Sequence, residues 1–232
     1  MWFSVSRPVR FPSRFEEDGR LVFSYFDLGA VVSGTPNGVI LPVQVTGDED
    51  LRPEKLTAWE LGHRIQFEGP WVLETSLFYN DYDRLIEPNP AIFGAFTDEG
   101  SGATWGAELN LSGQVTSRWR LEGAYSWLRV RIDGPVFPFE EQGSPRHLAQ
   151  LRSYFDLSDD LELNAVLYHV DEVPFSGSDA YTRFDLGLGW QATPSLRLDL
   201  WGKNLLDDKH AEASGARVPR TIFALATFEF GH

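Results

Sequence analysis

The 232 residues contain no cysteine, so disulfide frameworks, thiol catalysis and thiolate metal sites are all excluded. Methionine occurs once, and no stretch approaches the ~18 consecutive apolar residues of a membrane-spanning helix. Cations are scarce: 20 Lys and Arg stand against 34 Asp and Glu. The resulting net charge of −14 would repel the phosphates of nucleic acid, so no such partner is expected. His63, His147, His169, His210 and His232 show no ligand spacing, and neither a metal nor another cofactor is expected.

Catalytic constellations are missing as well. His147 and Ser153 fall on one strand, about 20 Å apart at strand rise, too far to act as base and nucleophile. Gly100, Gly102 and Gly106 are not followed by a helical pattern, so they do not form a phosphate loop. Asp81 and Asp83 share a strand face near its outer end, where solvation or calcium is a more ordinary use than acid–base chemistry. No enzyme is expected. The acidic clusters Glu16–Glu17–Asp18, Asp48–Glu49–Asp50, Asp159–Asp160 and Asp207–Asp208 fall mostly at turns. Solvated loops are their plain explanation, and binding of a divalent or other cationic ligand at a barrel mouth is the sharper one.

What the chain has is aromatic residues and alternation. Aromatics reach 14%, with 8 Trp and 17 Phe, in a chain only 42% hydrophobic. That balance suits ring side chains at a boundary better than an aliphatic core. In RFDLGLGW, Phe184, Leu186, Leu188 and Trp190 share one face, opposite Arg183, Asp185, Gly187 and Gly189. Period two is the signature of a two-faced strand. Segments near 2–8, 56–67, 71–82, 103–114, 118–131, 146–157, 161–172, 180–191, 195–206 and 218–230 repeat it, and no helical period is sustained. The fold class is all-β, an antiparallel transmembrane β-barrel type with about ten strands.

The connections choose between membrane and water. Short links (EGP, QVTS, SDD and ATPS) alternate strictly with long ones at 9–55, 83–102, 132–145, 173–179 and 207–217. Outer-membrane barrels have this asymmetry, with tight periplasmic turns and long extracellular loops. A cation at the bilayer midplane of such a barrel costs ~2–4 kcal/mol. Arg120, Arg152, Arg183, Arg197 and Lys203 all fall on the polar faces, while Trp71, Trp105, Trp119, Trp190, Phe228 and Phe230 sit near strand ends, where a membrane girdle wants them. The polar face is therefore expected inside. MWFSVSRPVR carries no secretory leader pattern and resembles mid-strand sequence, so a piece of a larger chain is expected.

Four stretches resemble the C-terminal half of the TonB-dependent outer-membrane receptor barrel. WFSVSRPVRFPSRFEED is similar to a mid-barrel strand leading into an Arg-Thr-Pro-Ser-like loop, with Phe11 where Thr is usual. LRPEKLTAWELGHR is similar to the Leu-x-Pro-Glu … Glu-x-Gly signature, through Leu51, Pro53 and Glu54, then Glu60 and Gly62. YTRFDLGLGWQATPSLRLDLWGKNLLDDKH resembles the penultimate hairpin, ending in Asn204, Leu205, Leu206 and Asp207. VPRTIFALATFEF resembles the final strand, although Phe230 is followed by Gly231 and His232 where the family usually ends on the aromatic.

The resemblance implies a part of a barrel of about 22 strands that encloses a plug. Residues 1–232 would be the C-terminal barrel portion, with no plug among them. It implies a Gram-negative outer-membrane location, with membrane lipid and the barrel assembly machinery as partners. An iron–siderophore or similar nutrient complex would be taken up through the extracellular loops, and TonB would be reached only through the plug. Import by this chain alone is not expected. By position, Tyr82, Arg84, Phe93, Phe96, Tyr181 and Arg183 are the expected ligand contacts. Two other readings stay open: a self-contained small barrel acting as a passive pore or structural protein, and a soluble β-sandwich binding module.

Overall fold

A computed structural model describes residues 1–27, 40–89, 94–134, 139–213 and 216–230. Ten long strands form one antiparallel meander: β1 (Trp2–Ser6), β5 (Glu54–Gln66), β6 (Val72–Pro88), β7 (Phe96–Thr116), β8 (Trp119–Asp133), β9 (His147–Asp156), β10 (Leu161–Val170), β11 (Tyr181–Thr193), β12 (Leu196–Lys203) and β15 (Thr221–Phe228). The two-residue β2 (Val9–Arg10) adds an eleventh strand beside β5. Within the long connections lie helix α1 (Arg14–Asp18) and two hairpins, β3 (Arg20–Asp27) with β4 (Ile40–Thr46) and β13 (Lys209–Ala213) with β14 (Ala216–Pro219). Among the described residues β1 pairs only with β5, and β15 only with β12, so the sheet is open at both edges.

The registers turn the alternation of single strands into two continuous faces. One row runs Phe184, Leu167, Leu151, Gly123, Leu111, Leu73, Ile65 across seven strands. The adjacent row on the other face runs Arg183, Tyr168, Gln150, Ala124, Asn110, Glu74, Arg64. The apolar face is the open one: Leu77, Leu109, Leu151, Leu167, Leu188 and Leu200 are all exposed. On the polar face Asp185 is buried. In water this arrangement would be inverted; in a bilayer the leucines meet their solvent.

Aromatic residues close the apolar band at both heights. Trp119 packs on Phe155 with centroids 6.0 Å apart, at the short-link end, where Trp71, Trp190 and Phe228 also lie. Trp59, Tyr79 and Trp105 form a second row, with centroids 5.7 and 6.4 Å apart. Along β8, Trp119 and Trp127 are separated by about 26 Å of strand, which at a tilt of about 40° rises through roughly 20 Å of the ~25 Å apolar height of such barrels.

From this second row upward the alternation inverts, beginning with Arg129, the register partner of Trp105. On β8 the apolar face continues from Trp127 into Arg129 and Arg131, while Leu128, Val130 and Ile132 take the polar face. On β6 Tyr79 gives way to Asp81 and Asp83. The strands have left the apolar band at this height, so their outer face can be charged and their inner face apolar.

Glycines on the polar face make room for larger neighbours. A Cβ on Gly187 would stand 2.6 Å from the Trp201 ring, and one on Gly189 would strike Arg197 and Glu162. Arg197 fills that space, pairing with Glu162 and, at 2.9 Å, with Asp199.

The ten expected segments are all present, but β6 and β7 run further than the pattern predicts. Their ladder continues to Pro88↔Phe96, through residues expected to be a long connection. Bulges between Asp83 and Leu85 and between Leu85 and Glu87 break the period of two while keeping the pairing. Arg84 sits in this bulge at φ 62.

Candidate functional site

The inverted segments enclose a hollow of about 710 Å³ on the polar face at the long-link end. Tyr82, Leu85 and Ile86 from β6 meet Leu128, Val130 and Ile132 from β8 across it, with Arg10 and Glu54 at one side. Mostly apolar walls with a few placed polar groups are what small-molecule sites present.

Its polar side is a built ion cluster. Arg10 donates to both oxygens of Glu54 at 2.6 Å and to Glu16 at 3.0 Å. The Ile86 N–H donates to Glu54 Oε1 at 2.8 Å, so one carboxylate ties β2 to β6. Glu16 also closes a capping box on α1: Ser13 N donates to Glu16 Oε2 at 2.6 Å, and Glu16 N to Ser13 Oγ at 3.3 Å. Further along, Arg52 holds Asp98 at 2.7 Å, and Phe15 packs edge-on against Phe96 at 5.8 Å. The foot of the 11–53 insertion is thereby fastened to β6 and β7.

Burial works to raise the Glu16 carboxyl, but the Ser13 N–H, the Ser13 hydroxyl and the Arg10 guanidinium together hold it below its ordinary value. A depressed folded-state value means that its contribution is full above the unfolded value of about 4.3 and lost as pH falls through the folded one. Hydrogen-exchange protection at residues 14–19, taken relative to the intrinsic rate at each pH, is therefore expected to fall below about pH 4, before the wall strands lose theirs. Equal acid sensitivity in the foot and the wall would contradict this.

A second cluster lies four strands from β7, on β11. Asp185 Oδ1 accepts from Asn204 N at 2.9 Å, and its Oδ2 stands 3.4 Å from Arg183 Nε. Arg183 also reaches Glu212 at 2.9 Å and lies over the Tyr168 ring at 5.6 Å. His210 shares the same Glu212 oxygen at 2.9 Å and stacks on Tyr181 with centroids 4.3 Å apart. Asn204 is fully buried, adopts φ 54, and donates from Nδ2 to Val218 O at 3.1 Å. These bonds hold the β13–β14 hairpin to the wall.

The expected ligand contacts do not form one group. Tyr82 lines the hollow. Arg84 pairs with Asp83 at 3.3 Å, and Phe96 is engaged by Phe15. Tyr181 and Arg183 belong to the second cluster, five strand spacings from β6 or roughly 24 Å. Phe93 lies outside the described residues. Sequence reasoning missed Leu128, Val130 and Ile132, although the inversion in WLRVRI is a legible signal. It also missed the contact between Arg10 and Glu54, for which the motif stretches containing them were the available clue.

The motif residues have local reasons for their identity. Trp2 covers Gly62, where a Cβ would lie 2.1 Å from its ring. Leu205 N donates to Phe184 O at 2.8 Å as the chain leaves β12. Phe230 is exposed and packs on Phe228 at 4.9 Å.

An antiparallel meander with an exposed apolar band, two aromatic rows and every long link at one end is the wall of a β-barrel of the membrane type. Residues 2–205 match the family model described as TonB dependent receptor-like, beta-barrel, and the chain belongs to that family. The catecholate siderophore receptor Fiu of Escherichia coli K12 is 24% identical over 243 residues, covering 92% of this chain and 31% of that protein. The chain thus spans about a third of the length of this curated relative. The ferric enterobactin receptor PfeA of Pseudomonas aeruginosa, solved with BCV-L6, superposes with a TM-score of 0.69 at 17% identity, over 98% of this chain and 38% of that one. The siderophore receptor PirA of Acinetobacter baumannii gives 0.69 at 15% identity, over 98% of this chain and 38% of that one.

Proposed function

We propose that these residues are the C-terminal wall and rim of an outer-membrane receptor that imports an iron–siderophore or similar nutrient complex with TonB-coupled energy. The observation that carries this reading is the change of faces at the Trp59–Tyr79–Trp105 row. Below it the outer face is apolar; above it the inner face becomes apolar and encloses the hollow beneath the long links. A membrane wall with a ligand-sized recess above it is what a surface receptor requires. The named relatives, two siderophore receptors and one ferric enterobactin receptor, support the same cargo class.

In this reading membrane lipid meets the leucine rows, and the barrel assembly machinery recognises the last strand around Phe230. TonB acts through a plug outside these residues. The open sheet edges at β1 and β15 favour the receptor reading over a self-contained small barrel. The protein's part is binding and passage, with no enzymatic step. Tyr82 in the hollow and Arg183 at the second cluster remain the proposed contacts, with Arg84, Phe96 and Tyr181 shaping the rim around them.

The test is expression of this chain in a Gram-negative host stripped of its own iron-complex receptors, with cell fractionation and radio-iron uptake. The chain is expected in the outer-membrane fraction, without energy-dependent import. Import by these residues alone, or their recovery as a soluble monomer, would overturn the reading.

A further inference from the structure

The net charge is not spread over the chain. The long connections at 9–55, 83–102, 132–145, 173–179 and 207–217 hold nineteen acidic against eight basic residues, whereas the strand segments are balanced. Because the meander places every long link at one end, that end of the wall carries most of the −14.

The arginines there are largely neutralised. Arg10 is held by Glu16 and Glu54, Arg52 by Asp98, Arg84 by Asp83, Arg183 by Asp185 and Glu212, and Arg220 by Asp208. The described cations at this end without an ion pair are Arg7, Arg20, Lys55, Arg129, Arg146, Lys209 and Arg217; Arg129 follows the apolar face, Lys209 and Arg217 are on the β13–β14 hairpin, Arg20 is bonded to Gln44, and Arg146 stands beside Leu128 through its carbonyl. None of them is among the described residues that line the hollow, where Arg10 is the one cation. The hollow itself is independent evidence of the same preference: apolar walls from two strands, with its Arg10 already bound by two carboxylates.

We infer that the cargo selected by this rim is an iron chelate of zero or positive net charge, not a polyanionic one. The inference rests on the receptor reading and narrows its substrate class. Iron(III) bound by three hydroxamates is neutral, and a pendant ammonium makes it cationic; iron(III) bound by three catecholates is a trianion. An acidic rim raises the local concentration of the cationic chelate, leaves that of the neutral one unchanged and lowers that of the trianion, and a mostly apolar hollow accepts a low-charge surface without requiring a desolvated counter-ion. The 24% identity to a catecholate receptor leaves room for this difference, because cargo charge is set in the loops.

The experiment uses the full chain in neutral detergent micelles and reads tryptophan quenching by three probes. They are an iron(III) tris-catecholate, a neutral iron(III) tris-hydroxamate, and its singly cationic ammonium derivative. At about 20 mM salt the cationic probe is expected to half-saturate at a concentration at least about tenfold below the trianion, and at about 500 mM salt the gap closes to roughly twofold. The variant Glu17→Gln/Glu49→Gln/Asp50→Asn, in which no side-chain bond to the wall is lost, narrows the low-salt gap several-fold. A tris-catecholate that binds as well as the cationic chelate, or better, overturns the inference and leaves the receptor reading intact. Failure of all three probes, with heat-modifiability on a gel showing folded chain, overturns the inference, while the receptor reading stands or falls on the fractionation and uptake test.

Discussion

Replacing Asn204 with alanine is expected to destabilise the β13–β14 hairpin by about 2–3 kcal/mol, from two separable causes. The first is backbone geometry. At φ 54 the residue lies in the left-handed region, which asparagine tolerates and alanine resists at a cost of roughly 1–2 kcal/mol. The second is the lost bond from Nδ2 to Val218 O, inside a site where Asn204 has no solvent contact, for about 1 kcal/mol more. Asn204→Gly separates them: glycine accepts the backbone and loses only the side-chain bond, so its cost should be near 1 kcal/mol. Hydrogen exchange across 209–219, beside urea titration in micelles, reads both variants. Equal exchange in the two would show that backbone strain contributes nothing. The Asp185–Asn204 N contact survives either change, so β11 and β12 are expected to stay paired while the hairpin loosens.

The wall was legible because each strand faces two solvents. Lipid on one side and polar interior on the other force a period of two, and Phe184, Leu186, Leu188 and Trp190 carry it plainly. The stretch 83–102 was not legible as strand because its two bulges shift the period without ending the ladder. The β13–β14 hairpin is held mainly through Asn204, Arg183 and Glu212, side-chain bonds that leave no periodic trace. The stretch 207–217 was expected as a long connection, and the hairpin lies within that connection and outside the wall sheet.

The site was legible only in part, and for a physical reason. Position on a strand predicts the height of a residue above the membrane, and Tyr82, expected at the rim, lines the hollow there. It does not predict which neighbours a loop will bring. Phe96 was expected by position as a ligand contact, and the insertion supplies Phe15 to pack on it. Arg183 was expected by position as a ligand contact, and Glu212 returns from 29 residues away to pair with it. The inversion of faces above Trp127 was available in WLRVRI, and it marks both the membrane boundary and the hollow.

Arg10→Met is expected to release the foot of the 11–53 insertion, at a cost of about 2–4 kcal/mol. The side chains of Glu16 and Glu54 are only 13% and 18% exposed, and Arg10 is the cation that lies between them. Methionine fills part of the space but leaves two carboxylates facing each other with water only partly admitted. The range stays below that of a fully buried pair, because the Arg10 side chain is itself 48% exposed. The damage should be local. β5 and β6 keep their twelve-pair register, whereas β2, α1 and the insertion lose the cluster that joins them. Limited proteolysis should therefore nick within 11–53 before any wall strand is cut. Glu54→Gln is milder, near 1–2 kcal/mol, because its amide oxygen still accepts from Ile86 N while one charge leaves the cluster. Combining the two should cost less than the sum, since the second change removes a carboxylate that the first left unpaired. Strict additivity would mean that Arg10 and Glu54 act independently. In that case the motif pair has no joint role in shaping the hollow that both residues line.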